Sequence, residues 1–99
     1  NIVLVTGGTG LSSRDVTPES VISLAEKEIP GFSERMRMET SKITERAILS
    51  RSIAVTRKKT LIIALPGSRK GSVECFQAIA PVVRHAVEII CGWGGECGS

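Results

Sequence analysis

The run Thr6-Gly7-Gly8-Thr9-Gly10 and the nearby pair Arg14-Asp15 put bare backbone, hydroxyls, a cation and a carboxylate into one short stretch. Glycine has no Cβ, so its N–H can approach an anion directly. Thr17-Pro18-Glu19 follows and reads as a helix start, with Thr17 as cap, Pro18 at the first helical position and Glu19 near the positive end of the dipole. A helix start adds unpaired N–H donors to such a loop. The pattern recurs at Pro66-Gly67-Ser68-Arg69-Lys70-Gly71, with Glu74 just beyond. Two such loops suit a ligand with two anionic parts, such as a nucleotide and a phosphorylated partner. Neither loop is a P-loop, and neither completes GxGxxG, because Ser13 stands where the third glycine would fall. Taken alone, each could equally be a tight turn holding nothing.

The elements that would position these loops come from the apolar pattern. Ile2-Val3-Leu4-Val5 reads as a strand buried on both faces. Val21, Ile22, Leu24, Ala25 and Ile29 give the first helix an apolar face, and Pro30-Gly31 is expected to stop it. A second helical stretch from about Ser33 should turn Phe32, Met36, Ile43, Ala47 and Ile48 inward, in two pieces broken near Thr40-Ser41. Residues 52–56 and 60–65 read as strands joined by the basic link Arg57-Lys58-Lys59, the second strand central. A long helix follows, with Ser72 as its expected cap. Its stripe is Val73, Phe76, Ile79, Val83, Val87 and Ile90, with a kink or restart at Pro81. Residues 91–99, rich in glycine, are expected to be a flexible tail. Strand, helix, helix, strand, strand, helix implies an α/β layer structure whose sheet is mostly parallel with an antiparallel pair. In such a sheet ligands bind beyond the carboxyl ends of strands, where both glycine loops fall.

The totals narrow the function classes. The 99 residues carry a formal net charge of +3, 41% hydrophobic and 23% charged residues, which suits one globular domain. Aromatic residues make up 3%, too few for a base-stacking surface. Nucleic-acid binding through the basic loops is therefore disfavoured. Cys75, Cys91 and Cys97 form no CxxC pair and lack metal-type spacing to His85, which fits reduced thiols in a cytoplasmic protein. No apolar run is long enough to span a membrane.

TGGTGLSSRDVTPES followed by PGFSERM, AILSR, LIIALPGSRKGSVECF and IAPVVRHA resembles the molybdopterin adenylyltransferase family of molybdenum cofactor synthesis, which includes bacterial MogA proteins and gephyrin G domains. The match covers nearly all of residues 1–90, taken as one molybdopterin-binding domain. Related MoaB-type proteins share the fold and the GGTG loop but often lack the Arg-Asp pair, so Arg14-Asp15 tilts the resemblance to the adenylyltransferase branch. The resemblance implies a three-layer MogA-like fold, with the family's first strand and helix expected upstream of Asn1, which puts the activity of this chain in question. It implies transfer of AMP from Mg-ATP to the molybdopterin phosphate, with loss of pyrophosphate. It also implies a homo-oligomer, commonly a trimer, working with other cofactor-synthesis proteins. The alternative is a non-catalytic molybdopterin-binding protein.

On that resemblance Asp15 is the magnesium ligand and a catalytic residue, and Ser50 of Leu49-Ser50-Arg51 stands near the bound ligand. Thr6, Gly7, Gly8, Thr9, Gly10 and Arg14 line the phosphates. Pro66, Gly67, Ser68 and Gly71 form the second loop, and Glu74 meets a ribose or base edge. Plainer roles stay open for several. Asp15 could close a turn, Ser50 end a helix and Glu74 favour a helix dipole. His85 reads as a structural histidine beside the last helix's stripe, and Cys75 as a packed thiol.

Overall fold

A computed structural model describes residues Asn1–Gly92. The strands are β1 (Ile2–Thr6), β2 (Lys27–Glu28), β3 (Ile53–Arg57) and β4 (Thr60–Leu65). The helices are α1 (Thr17–Leu24), α2 (Pro30–Ser41) and α3 (Arg69–Cys91), with a 3-10 turn at Glu45–Leu49. The sheet order is β1-β4-β3-β2.

β4 organises the molecule. Leu61, Ile63 and Leu65 face one side and pack with Phe32 and Met36 of α2 and with Cys75, Ile79 and Val83 of α3. Ile62 and Ala64 face the other side, against Val21 of α1 and Val55 of β3. The strand thus alternates between two cores, and the expected three layers form with α2 and α3 on one face and α1 on the other. The sheet is more mixed than its sequence pattern suggested. Only β1–β4 is parallel among the described pairings; β2–β3 and β3–β4 are antiparallel.

Several local expectations need correction. β1 is an edge strand, with Ile2, Val3 and Leu4 all more than 40% exposed rather than buried on both faces. α1 ends at Leu24, because the chain turns at Ala25 to lay β2 beside β3. Pro30 then starts α2 instead of stopping α1, as its fixed φ and missing N–H allow. The helical stretch after it does break in two, but Ile43 and Ile48 are exposed. Arg57 belongs to β3, leaving the two-residue tip Lys58-Lys59 with Lys58 at φ 52°. α3 begins at Arg69, capped by Ser68, whose Oγ accepts the Gly71 N–H at 3.0 Å. Ser72 lies inside the helix and donates to the Arg69 carbonyl. α3 continues through Pro81, which is exposed together with Gln77, the residue whose carbonyl loses its partner. Val73 is exposed. Cys91 closes α3 and Gly92 caps it at φ 76°; the rest of the expected tail lies outside the described residues.

Candidate functional site

Thr6 pairs with Leu65 in the parallel β1–β4 register, so both glycine loops leave the same end of adjacent strands. They touch through backbone. The Gly7 N–H donates to the Leu65 carbonyl at 2.9 Å. A Cβ on Gly67 would lie 3.1 Å from the Gly7 Cα, so the second loop passes the first closely enough that a side chain there would push the backbones apart by a few tenths of an ångström. Gly7 and Gly8 have φ of 95° and 70°. Gly8 turns back so that its carbonyl accepts the Thr17 N–H at 3.0 Å, which sets where α1 begins.

Thr9 is 5% exposed, and its hydroxyl has no hydrogen-bond partner among the described residues. Thr9 lines a cavity beside the two loops. That cavity, about 300 Å³, brings together Thr9, Gly10, Ser50, Pro66, Gly71 and Glu74, with Thr40 and Cys75 as further lining. Six of the sequence candidates therefore converge on one space. A second cavity, about 580 Å³, lies beyond Leu49 and Ser50, which line both. Ser50 follows the 3-10 turn and its Oγ lies 3.0 Å from the buried Ser52 Oγ.

The other candidates stand apart from that cavity. Thr6 is exposed at the end of β1 and faces a different hollow with Leu4 and Phe76. Gly67 is spent on the backbone crossing, and Ser68 on its cap. Arg69 and Lys70 are exposed in the first turn of α3, not in a loop. Arg14 is exposed, with only its N–H bonded, to Ser12 Oγ at 3.2 Å; its side chain does not reach Asp15. Asp15 is half-buried. Its Oδ2 accepts the Ser12 N–H at 3.0 Å and would sit 2.8 Å from a Cβ on Gly10. It closes the turn before α1 while Oδ1 takes no hydrogen bond among the described residues. His85 is exposed on α3, 3.8 Å from Glu88, far from either loop in the fold, so it is not a core histidine.

Sequence reasoning gave Arg51 no part, yet it binds the first loop three times and the start of α1 once. Its N–H donates to the Thr9 carbonyl at 2.9 Å and its Nε to the Gly10 carbonyl at 2.9 Å. Its Nη2 donates to the Asp15 carbonyl and its Nη1 to Glu19. That hydrogen bond holds the Glu19 carboxyl below the ordinary carboxylate range. Burial pushes the Cys75 thiol up, with the Glu74 charge adding to the rise and the hydrogen bond with Thr40 opposing it. Cys75 is therefore a neutral thiol at neutral pH, as its packing suggested.

Residues 1–85 match the family model described as a probable molybdopterin binding domain. The chain belongs to this family. The domain is 46% identical over 92 residues to the molybdopterin adenylyltransferase of Helicobacter pylori strain 26695, covering 93% of this chain and 52% of that protein. Its structure is similar to that of the molybdopterin biosynthesis enzyme MoaB from Thermus thermophilus, with a TM-score of 0.85, 45% identity, and 92% and 57% of the two chains covered. The Mog protein of Mycobacterium ulcerans gives a TM-score of 0.87 at 33% identity, over 91% and 59% of the two chains. The chain thus spans about half the length of these relatives. Among its described residues no helix is long and apolar enough to cross a membrane, and no three His, Cys, Asp or Glu side chains gather as a metal site.

Proposed function

We propose that this domain carries the nucleotide- and pterin-phosphate-handling part of a molybdopterin adenylyltransferase. The observation that supports it best is the cavity where the two strand-end loops meet, lined by Thr9 and Gly10 of the first and by Pro66 and Gly71 of the second. In the reaction the terminal phosphate oxygen of molybdopterin attacks the α-phosphorus of ATP. The bond from that phosphorus to the bridging oxygen breaks and pyrophosphate leaves. Such chemistry depends on positioning and on spreading negative charge. Thr9, Gly10 and Ser50 would hold the phosphates, and Glu74 at the cavity wall would accept from a ribose or base. Gly7 and Gly67 keep the two loops close, and Arg14, exposed at the loop tip with no ion pair among the described residues, would draw in the anionic substrate.

Asp15 fits magnesium in the way magnesium is usually held, by one or two carboxylates plus substrate phosphates. It stands beside the first loop, and its Oδ1 takes no hydrogen bond among the described residues. The metal, when bound, would neutralise charge on the departing pyrophosphate. Asp15 also closes its turn, so its two suggested roles are compatible. Residues 1–90 would act as one cytoplasmic unit, assembled as a homo-oligomer, a trimer by family likeness, alongside other cofactor-synthesis proteins.

The 45% identity to MoaB sustains a second reading, molybdopterin binding without adenylylation. Pyrophosphate release from ATP and magnesium on addition of molybdopterin separates the two. Release supports the enzyme, while pterin binding without release supports the binding protein. In the active protein, Asp15→Asn keeps an oxygen for the Ser12 N–H but loses the charge. It is expected to abolish pyrophosphate release and leave pterin affinity largely intact; full activity would remove Asp15 from the mechanism.

A further inference from the structure

We propose that Arg51 is a positioning residue that holds the first glycine loop in its ligand-receiving shape, acting through the loop's backbone rather than on the substrate. The inference rests on the cavity being the reacting site, as argued above. Leu11, Ser12, Ser13 and Arg14 are all exposed and belong to neither core cluster. Within this excursion the bonds are short-range, joining Asp15 to Ser12 and Arg14 to Ser12. Among the described residues, what ties the excursion to the body by hydrogen bonds is one guanidinium that bridges its two ends, with Nε on the Gly10 carbonyl and Nη2 on the Asp15 carbonyl. Nη1 takes Glu19, in the first turn of α1. The donor fork is planar and fixed, so it sets the separation of those three partners.

The same residue couples the loop to Ser50. The Arg51 N–H holds the Thr9 carbonyl, so Ser50 and Thr9, which line one cavity, are fixed by neighbouring backbone atoms. The side chain is about one-third exposed and lies outside both apolar clusters. Its removal should therefore free the loop and leave β4 and its packing in place. A lysine carries a compact charge on a flexible stem and cannot span three separated acceptors.

The test compares the wild type with Arg51→Lys and Arg51→Ala by amide hydrogen exchange over residues 9–16 and 61–65, and by pyrophosphate release with molybdopterin, ATP and magnesium. Both variants are expected to lose protection in residues 9–16 and keep it in β4. In both, kcat should fall by about 100-fold while KM for ATP moves by no more than about threefold. Unchanged loop protection, protection lost equally in β4, or activity restored by Arg51→Lys would each overturn the assignment. So would loop protection lost at full kcat. If the wild type releases no pyrophosphate, the adenylylation reading falls but the clamp is still decided. Loop-confined loss of protection then upholds it, and unchanged or global loss overturns it.

Discussion

Gly8 and Gly31 are the same residue in opposite circumstances. Gly8 sits at φ 70°, and an added Cβ would meet the Thr17 Oγ1 at 2.2 Å. Gly8→Ala combines backbone strain with a clash and should destabilise by about 1–3 kcal/mol. A bulkier side chain there would disturb the start of α1 as well as the loop, so ligand binding cannot be probed cleanly at this position. Gly31 lies in the first turn of α2 with open space around it. Gly31→Ala should stabilise by up to about 1 kcal/mol, because alanine has less chain freedom to lose. Urea midpoints of the two variants should move in opposite directions. The glycines that matter were conspicuous in the sequence through their clustering after a strand. Arg51 was not, because its side chain binds residues 32 to 41 positions away and nothing beside it in the chain marks that reach. Ser50 was noticed only by likeness to a family. Its nearest partner, Ser52, shows a local hydroxyl pair whose meaning depends on the cavities either side.

At the scale of elements, what the sequence revealed followed from how much each element depends on its own residues. β4 is apolar at every inward position on both faces and was legible in full. The two-piece helical stretch was legible because polar residues interrupt its spacing after Thr40. β2 is two charged residues that become a strand only because β3 lies beside them. Pro30 was ambiguous by nature, since proline suits the end of one helix and the start of the next equally well. The junction of the first loop with α1 is sensitive to acid in a definite direction. The Arg51 hydrogen bond lowers the Glu19 carboxyl in the folded state, so its contribution is complete above the unfolded value, about pH 4.3. It is lost as pH falls through the lower folded value. Thermal midpoints of the wild type and Glu19→Gln should therefore differ by a constant amount at neutral pH and converge in acid.

For the molecule as a whole, the described sheet is enclosed at its centre and exposed at both edge strands. β4 and β3 are enclosed, while β1 presents Ile2, Val3 and Leu4 half-exposed at the edge. A continuous apolar run reads as a central strand, whereas among the described residues β1 pairs on one side only, with β4. Such an edge invites pairing between molecules, and a lysine on it discourages that. Val3→Lys should slow the growth of light scattering in concentrated solution and lower stability by roughly 1 kcal/mol, the loss of one partly buried side chain. Unchanged scattering would show that β1 is not the surface through which copies associate.

The parallel pairing also dictates a schedule. Ile2 finds its partner in Leu61, across nearly two-thirds of the described chain. At synthesis rates of about 5–20 residues per second, β1 must wait roughly 3–12 s after leaving the ribosome before β4 exists to receive it. Throughout that interval β1 lacks the strand it pairs with among the described residues, while the β3–β4 hairpin can zip as soon as it emerges. The end of the sheet that carries both glycine loops, built where these two strands finish side by side, thus cannot take shape until β4 has emerged.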